Sequence, residues 1–221
     1  APKWLPEKCI QCNNCSAICP HSVIRPFLLT SEEISQAPKE IQNGLEVINA
    51  KGKEYSNYKF RIQASPYDCV ECNLCIDICP TKSLEMTPVS GSDDVLKYAQ
   101  DENDKFIYLT NKIPNRGNLV KDKYNIKGSQ FQRPYIEFPG SCQGCNETMV
   151  TKILTQLFGN RMLIANASGC SSVWGGSFSK VPFVTDESGR GPAWARSLFE
   201  DNAEFGFGMA LGLQMRRDNL K

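Results

Sequence analysis

Cysteine is the residue type that could carry chemistry in this chain, with 11 copies among 221 residues. One run of evenly spaced cysteines consists of Cys9, Cys12, Cys15 and Cys19. A second run with the same spacing consists of Cys69, Cys72, Cys75 and Cys79. Both follow C-x2-C-x2-C-x3-C and end in Cys-Pro, and this spacing is the thiolate pattern that binds [4Fe-4S] clusters. Two complete runs therefore predict two clusters.

The fourth cysteine of each run is predicted to serve the cluster of the other run. Three closely spaced thiolates can bind three irons of one cube, whereas the fourth ligates the neighbouring cube in two-cluster proteins. One cluster is therefore assigned to Cys9, Cys12, Cys15 and Cys79. The other cluster is assigned to Cys69, Cys72, Cys75 and Cys19.

Zinc and disulfides are the alternative uses of these cysteines. Structural zinc sites usually draw on two separated pairs of Cys or His, whereas each run here holds four closely placed cysteines and no histidine. Disulfides between thiols this close in sequence would have to close very small, strained loops. Iron–sulfur ligation is therefore favoured, and its need for reduced thiols predicts a reducing compartment.

Composition excludes several other classes of function. The net charge of +1 gives no electrostatic reason to bind nucleic acid or an anionic membrane surface. No apolar run approaches the roughly 20 residues that a transmembrane helix needs. The chain begins at Ala1 rather than Met, which predicts a processed chain or a piece of a longer one.

An insertion at about residues 28–66 is predicted between the two runs. Thr30-Ser-Glu-Glu33 resembles a capped helix start, and this helix should end near Ala37-Pro38. A second helix is predicted from Lys39 to Asn43, ending at Gly44, and the alternation of Tyr58 to Ala64 predicts a strand. Residues 45–57 could pack on the body of the protein or form a solvated loop.

Further elements outside the cysteine runs are predicted without a chemical role. Pro20 is predicted to begin a short helix, with His21, the only histidine, at its surface rather than acting as a ligand or proton relay. Residues 89–135 are predicted to form a linker, with a solvated turn over Asp101 to Lys105 and a short strand over Phe106 to Leu109.

Residues 136–221 contain Cys142, Cys145 and Cys170 without a fourth cysteine, which fits a zinc knuckle, an incomplete cluster or free thiols. A helix over Val150 to Phe158 is predicted to place Val150, Ile153, Leu154 and Leu157 on one face. The apolar run from Met162 to Ala167 predicts a buried parallel strand. It ends at Ser168-Gly-Cys-Ser-Ser172, the kind of position where α/β sheets bind ligands. Pro192 to Leu213 predicts one or two helices, with Gly206 and Gly208 allowing close approach of another backbone or a kink.

A set of further motifs resembles the pyruvate:ferredoxin oxidoreductase family. They are Lys127-Gly-Ser-Gln-Phe131, Cys142-x-Gly-Cys145-x-Glu-Thr148, Ala167-Ser-Gly-Cys-Ser-Ser172, Gly175-Gly176, and Gly189-Arg-Gly-Pro-Ala-Trp194 followed by Leu198 to Gly206. The resemblance covers nearly the whole chain, and the family's enzymes are much longer. It implies an internal piece: an α+β two-[4Fe-4S] ferredoxin-like domain (1–88), a linker (89–135) and the beginning of an α/β thiamine-diphosphate-binding domain (136–221).

The resemblance also implies roles for residues in the second half. Cys142, Cys145 and Cys170 would bind a third [4Fe-4S] cluster whose fourth cysteine lies beyond Lys221, and Glu147 and Cys170 would lie against thiamine diphosphate. The implied reaction converts pyruvate and coenzyme A to acetyl-CoA and carbon dioxide and passes electrons to ferredoxin or flavodoxin. Ligands for Mg2+ would lie outside this chain, in the rest of the same polypeptide. The resemblance implies a homodimer in the cytoplasm or in an anaerobic organelle such as a hydrogenosome.

Three alternatives stay open at the level of the sequence. One is a non-enzymatic electron-transfer module, which needs only the two cysteine runs. The others are an oxidoreductase for a different 2-oxo acid and a fused enzyme that delivers its electrons to NADP.

Overall fold

The computed structural model describes residues 1–177 and 181–221 of the chain. Its strands are β1 (Pro2–Trp4), β2 (Ile24–Leu29), β3 (Ile48–Asn49), β4 (Lys59–Ala64), β5 (Leu84–Met86), β6 (Leu163–Asn166) and β7 (Ala193–Arg196). Its α-helices are α1 (Asn14–Ile18), α2 (Ser31–Gln36), α3 (Lys39–Gln42), α4 (Leu74–Asp77), α5 (Asp93–Lys112), α6 (Ile126–Gln130), α7 (Asn146–Phe158), α8 (Cys170–Ser172) and α9 (Asn202–Asp218). None of the described helices is both long enough and apolar enough to cross a membrane.

The two cysteine runs fold as two copies of one unit, offset by 60 residues. In each copy the cysteine loop leads into a short helix, α1 or α4, and the two helices contact each other. The left-handed backbone conformation recurs at matching positions: Gln11 with Glu71, Asn13 with Asn73, and Ser22 with Lys82. β1 pairs antiparallel with β5, with Trp4 opposite Leu84, and so joins the start of the first copy to the end of the second.

The insertion between the runs forms a small antiparallel sheet in the order β2-β4-β3. The predicted helix start is confirmed, because the Thr30 hydroxyl accepts from Glu33 N–H while the Glu33 carboxylate accepts from Thr30 N–H. The predicted end of that helix at Ala37, the second helix and the strand are also confirmed. Residues 45–57 are not simply a solvated loop, since Leu45 and Tyr55 are buried.

The core lies between this sheet and the cysteine loops. Its central side chains are Trp4, Ile24, Phe60, Ile62, Leu84 and Phe131. Phe131 comes from the region after the two runs and packs edge-on against Phe60, with 6.4 Å between ring centroids. The second half of the chain therefore helps to build the core around the cysteines.

Two predictions for residues 20–21 are wrong. Pro20 begins a turn instead of a helix, because the helix of the run, α1, has already ended at Ile18. His21 is buried, with 3% of its surface exposed, rather than lying on the surface.

The predicted turn over 101–105 and strand over 106–109 are also wrong, because both stretches belong to the 20-residue helix α5. Its buried positions, Ala99, Lys105, Phe106 and Leu109, recur at helical spacing and face the sheet. The segment predicted as a linker therefore contains a helix that packs on β4 and α3.

The helix predicted over 150–158 is confirmed as part of α7, but its predicted apolar face is not the buried one. Val150 is 50% and Leu154 43% exposed, whereas polar side chains of the opposite face are buried. These buried residues are Thr148, Lys152, Thr155 and Gln156.

The predicted parallel strand at 162–167 is confirmed as β6, which pairs with β7 in parallel. The strand is not buried as expected, since Leu163 is 47% exposed. The all-helical prediction for 192–213 is wrong at its start, where β7 precedes α9. Gly206 lies within α9 and allows close approach, because a Cβ there would meet Ala165 of β6 at 3.3 Å.

Candidate metal centres

One cavity beside α1 is lined by cysteines from both runs. Three of them, Cys9, Cys12 and Cys15, come from the first run, and Cys79 comes from the end of the second. Apolar side chains complete the wall, namely Trp4, Ile10, Ile62 and Leu84. This is the grouping that the spacing predicts for one cluster, and ligation of iron by these thiols stays a prediction.

A second cavity beside α4 shows the reciprocal grouping. It is lined by Cys69, Cys72 and Cys75 of the second run and by Cys19 from the end of the first. Val23, Ile24 and Met86 supply its apolar wall. The two cavities therefore exchange their fourth cysteine, because α1 and α4 pack together and point the end of each run toward the loop of the other.

Burial makes isolated thiolates costly in both cavities. Desolvation, followed by the charges of Cys19, Cys69 and Cys72, raises the pKa of Cys75 to about 12. Burial also raises the pKa of Cys15, with the charge of Cys75 as the next cause. Because metal ligands must be deprotonated, thiols held in this way call for a cationic partner, which iron supplies.

Cys79 differs from Cys15 and Cys75 because the hydrogen bonds to its sulfur outweigh the effect of burial on its pKa. Desolvation alone would raise its pKa, but hydrogen bonds from the Ser83 hydroxyl and backbone N–H, both at 3.2 Å, and from Thr81 lower it. The position equivalent to Ser83 after the first run is Val23, which has no hydroxyl.

The backbone around the cysteines also fits an anionic cluster. Gln11 and Asn13 flank Cys12 in the left-handed conformation, as Glu71 and Asn73 flank Cys72. Alternation of this kind turns successive N–H groups toward one point and makes concavities that hold anions, iron–sulfur clusters included. Asparagine tolerates this conformation better than most residues.

A buried polar atom in the first cavity also fits an anionic cluster. Trp4 lines this cavity, and its buried indole Nε1–H has no partner among the described residues. Cluster sulfur is an acceptor for such a donor. No three His, Cys, Asp or Glu side chains of residues 1–177 and 181–221 meet closely enough to hold one metal ion, and a four-iron cube is considerably larger than one ion.

The turn that carries Cys142 and Cys145 lies against the second cavity. Gln143 Nε2 donates to the carbonyl of Val70, inside the second cysteine loop. His21, which lines this cavity, has Nε2 3.1 Å from the carbonyl oxygen of Ser141, while its own carbonyl accepts from Phe138 N–H at 3.0 Å. Burial lowers the pKa of His21, and the contact with Ser141 opposes that effect.

The start of α7 meets the segment that follows β6. Cys145 is the N-cap of α7, and hydrogen bonds from Thr148 and the Glu147 N–H lower its pKa against the effect of desolvation. Trp174, four residues after Cys170, donates from Nε1 to a Glu147 carboxylate oxygen at 3.3 Å. The structure thus brings the segment of Cys170 beside Cys145 and Glu147, while Cys142 and Cys170 are themselves exposed.

Sequence reasoning missed Lys152, which is buried and reaches the end of α1 in the first run. Its position on the polar face of an amphipathic helix predicted exposure, and no spacing rule marks it. Sequence reasoning also missed the buried contact of His21 with Ser141. A single histidine next to Cys-Pro does not indicate such a contact.

Comparison with known proteins finds relatives that match nearly the whole chain. Residues 8–83 match the profile of the 4Fe-4S dicluster domain. The chain is 48% identical over 224 residues to pyruvate:ferredoxin oxidoreductase of Moorella thermoacetica, covering 99% of this chain and 18% of that protein.

Two further relatives show similar identity. They are the mitochondrial pyruvate dehydrogenase [NADP(+)] of Euglena gracilis (48% over 220 residues, 100% of this chain and 12% of that protein) and the pyruvate-flavodoxin oxidoreductase of Enterobacter agglomerans (46% over 221 residues, 99% and 18%). The chain therefore spans less than a fifth of the length of these relatives. It is homologous, over nearly all of its own length, to one segment of the pyruvate:ferredoxin and pyruvate-flavodoxin oxidoreductases, and it carries a 4Fe-4S dicluster domain.

Proposed function

We propose that this chain is the electron-carrying segment of an oxidoreductase that converts pyruvate and coenzyme A to acetyl-CoA and carbon dioxide. The observation that carries the proposal is the pair of cavities, each lined by three cysteines of one run and the last cysteine of the other. A [4Fe-4S] cluster, when bound, takes up and releases one electron at a time. The eight thiols would hold two clusters and, through the shared helices, keep them side by side.

The third site would feed electrons into the second cavity. Cys142, Cys145 and Cys170 would hold a third cluster together with a cysteine from elsewhere in the polypeptide. The contacts of Gln143 with Val70 and of His21 with Ser141 place this turn against the second cavity. Electrons would then pass from the third site to the site of Cys69, Cys72, Cys75 and Cys19, and next to the site of the first run.

Glu147 and Cys170 are the residues of this chain that would contact thiamine diphosphate. That cofactor supplies carbanion stabilisation at the reacting carbon. The carboxylate of Glu147 is held by the Trp174 indole N–H, which fixes its position beside the segment of Cys170. Mg2+, the coenzyme A site and the partner subunit of a homodimer would belong to other parts of the polypeptide, in the cytoplasm or a reducing organelle.

NADP is a second candidate for the final electron acceptor. The identity with the Euglena NADP-dependent enzyme, 48%, equals that with the Moorella ferredoxin-dependent enzyme. This segment therefore favours neither acceptor. Ferredoxin or flavodoxin would take electrons directly from the clusters, whereas NADP would need a further flavin domain in the same polypeptide.

The experiment uses the complete native polypeptide, purified without oxygen. Pyruvate and coenzyme A are added, and reduction of a viologen dye is followed. Reduction that requires both substrates and disappears when thiamine diphosphate is removed would support the proposal. The same preparation, offered ferredoxin, flavodoxin or NADP in turn, would identify the acceptor.

Absence of pyruvate-dependent reduction would be informative if the clusters still accepted electrons from dithionite. Reduction by another 2-oxo acid would then assign a different substrate to the same machinery. No response to any 2-oxo acid would contradict the enzyme and leave an electron-transfer module.

A further inference from the structure

Lys152 is a buried cation at the C-terminal end of α1, in the first cysteine run. Only 2% of its surface is exposed, and it projects from α7 toward the end of α1. Its Nζ donates to the carbonyl oxygens of Ser16, of Ala17 at 3.0 Å and of Cys19 at 2.8 Å. An ammonium group has three N–H donors and no acceptor, so three carbonyl partners match its charged form.

The three carbonyls belong to the stretch that joins the two proposed clusters. Ser16 follows Cys15, which lines the first cavity, and Cys19 lines the second. Carbonyls at the C-terminal end of a helix lack partners within the helix, and Lys152 donates to two of those in α1, the carbonyls of Ser16 and Ala17. One charge is thereby fixed beside a proposed ligand of each cluster.

No carboxylate of the described residues lies within ion-pair distance of Lys152. Arg25, a second buried cation that acts on Lys152, already pairs with Glu137 at 2.9 Å, so that carboxylate serves Arg25. A buried charge without a counter-ion is costly. The groups that would supply the missing negative charge are the thiolates of the two runs with their clusters, since four thiolates around a cube leave it anionic.

We propose that Lys152 is a counter-ion shared by both clusters and that it raises the reduction potential of each. This inference rests on the proposed function, because it requires that the clusters are bound. Reduction adds negative charge to a cluster, and a fixed cation in a poorly screened interior stabilises the reduced state more than the oxidised state. Both clusters respond, and the one bound by Cys19 responds more, because the ammonium contacts that residue directly.

A purely structural role is the competing explanation for the same contacts. Lys152 fastens α7 to α1, and any side chain that held the two helices together would do so without affecting electron transfer. Measuring the potentials separates the two roles, because they respond to charge rather than to docking alone.

The experiment is a potentiometric titration, followed by electron paramagnetic resonance, of the complete polypeptide purified without oxygen. Lys152→Met should lower the midpoint potentials of both clusters, and Lys152→Arg should keep them close to the wild-type values. Lys105→Met is the matched control, because Lys105 is also buried but pairs with Glu102 at 2.7 Å instead of donating to a cysteine run. This control should leave both potentials unchanged.

Unchanged potentials in Lys152→Met, at full cluster content, would overturn the inference. If this variant does not assemble clusters, Lys152→Gln decides, because its amide keeps two N–H donors on a shorter side chain and carries no charge. Wild-type potentials in Lys152→Gln would then leave only a structural role. A wild-type protein without clusters would instead contradict the proposed function, so the two failures are distinguishable.

Discussion

At the scale of single residues, equivalent cysteines of the two runs have different surroundings. The sulfur of Cys79 receives hydrogen bonds from Ser83, whereas the corresponding position beside Cys19 is Val23. The first cavity also holds the unpartnered indole N–H of Trp4. Since donors to cluster sulfur favour the reduced state, these contacts should raise the potential of the first-cavity cluster, whereas Lys152 acts more strongly on the cluster of the second cavity.

The substitution Ser83→Ala should lower the potential of the first-cavity cluster alone. It removes the hydroxyl that lies 3.2 Å from Cys79 and keeps the backbone N–H bond. A difference of about 1 kcal/mol between the strengths of this hydrogen bond in the two redox states corresponds to about 40 mV for a one-electron couple. Potentiometry should therefore show a fall of some tens of millivolts, with Val23→Ala as the control beside the other cluster. A shift of equal size in both clusters would contradict this local effect.

Reciprocal cysteine variants test the exchange of the fourth ligand. Cys19→Ala should damage the cluster held mainly by the second run, and Cys79→Ala the cluster held mainly by the first. The reason is that each of these side chains lines the cavity of the opposite run. Iron analysis and electron paramagnetic resonance of the two variants provide the measurement. If each variant lost only the cluster held mainly by its own run, the fourth ligand would not be exchanged between the runs.

At the scale of elements, α5 is attached to the sheet by buried charges. Glu102 pairs with Arg61 of β4 at 3.1 Å and with Lys105 at 2.7 Å, and it accepts from Gln63 Nε2 at 2.9 Å. Desolvation would raise the pKa of Glu102, but Arg61, Lys105 and Gln63 together lower it. Glu102 and Lys105, two of the four charged residues in 101–105, thus serve the interior, whereas Asp101 and Asp104 are exposed. A charge-rich stretch was therefore mistaken for a solvated turn.

Removal of this carboxylate should weaken the docking of α5. Glu102→Ala leaves Arg61 and Lys105 buried without their shared partner, at a cost of about 3 kcal/mol. Urea unfolding of the complete protein, followed by hydrogen exchange in α5 and β4, should show the loss. Glu85→Ala is the control, because Glu85 lies in an exposed pair with Lys3 at 4.0 Å. Equal effects of the two variants would contradict the importance of burial.

The ion pairs of Glu102 also make the free energy of unfolding depend on pH. Because the folded-state pKa of Glu102 is lowered, its contribution is complete above the unfolded pKa of about 4.3 and is lost as the pH falls through the folded value. Wild-type protein should therefore lose stability in acid more steeply than Glu102→Ala. Parallel curves for the two proteins would show that Glu102 does not contribute to this loss.

Local patterns predicted the elements of the insertion between the two runs better than those farther along the chain. The helix start at Thr30 and the strand over 58–64 depend on neighbours in sequence, and both were predicted correctly. The buried face of α7 depends on distant partners, because Lys152 reaches the carbonyls of α1 and Thr155 Oγ1 accepts from Tyr135 N–H at 3.2 Å. Hydrophobic periodicity carries no information about such partners, so it selected the exposed face.

At the scale of the whole molecule, α7 connects the third cysteine group to the two cavities. It begins at Cys145 and reaches α1 through Lys152, seven residues later and therefore about 10 Å along the helix axis. Gln130 extends the connection by accepting from the Ser16 hydroxyl at 2.9 Å and donating to Gln156 at 3.0 Å. The grouping of the eight run cysteines followed from spacing alone, whereas this connection required the fold.

The third cysteine group supports the last prediction, since it would be the entry point for electrons. In the complete enzyme, Cys170→Ser should remove the third cluster and nearly all pyruvate-dependent dye reduction. The other two clusters should survive, because their eight thiols lie in cavities that Cys170 does not line. Electron paramagnetic resonance of the dithionite-reduced variant would count the remaining clusters, and Ser171→Ala would serve as the neighbouring control. Full turnover in Cys170→Ser would exclude this thiol from the path, and electrons would then have to enter the two cavities by another route.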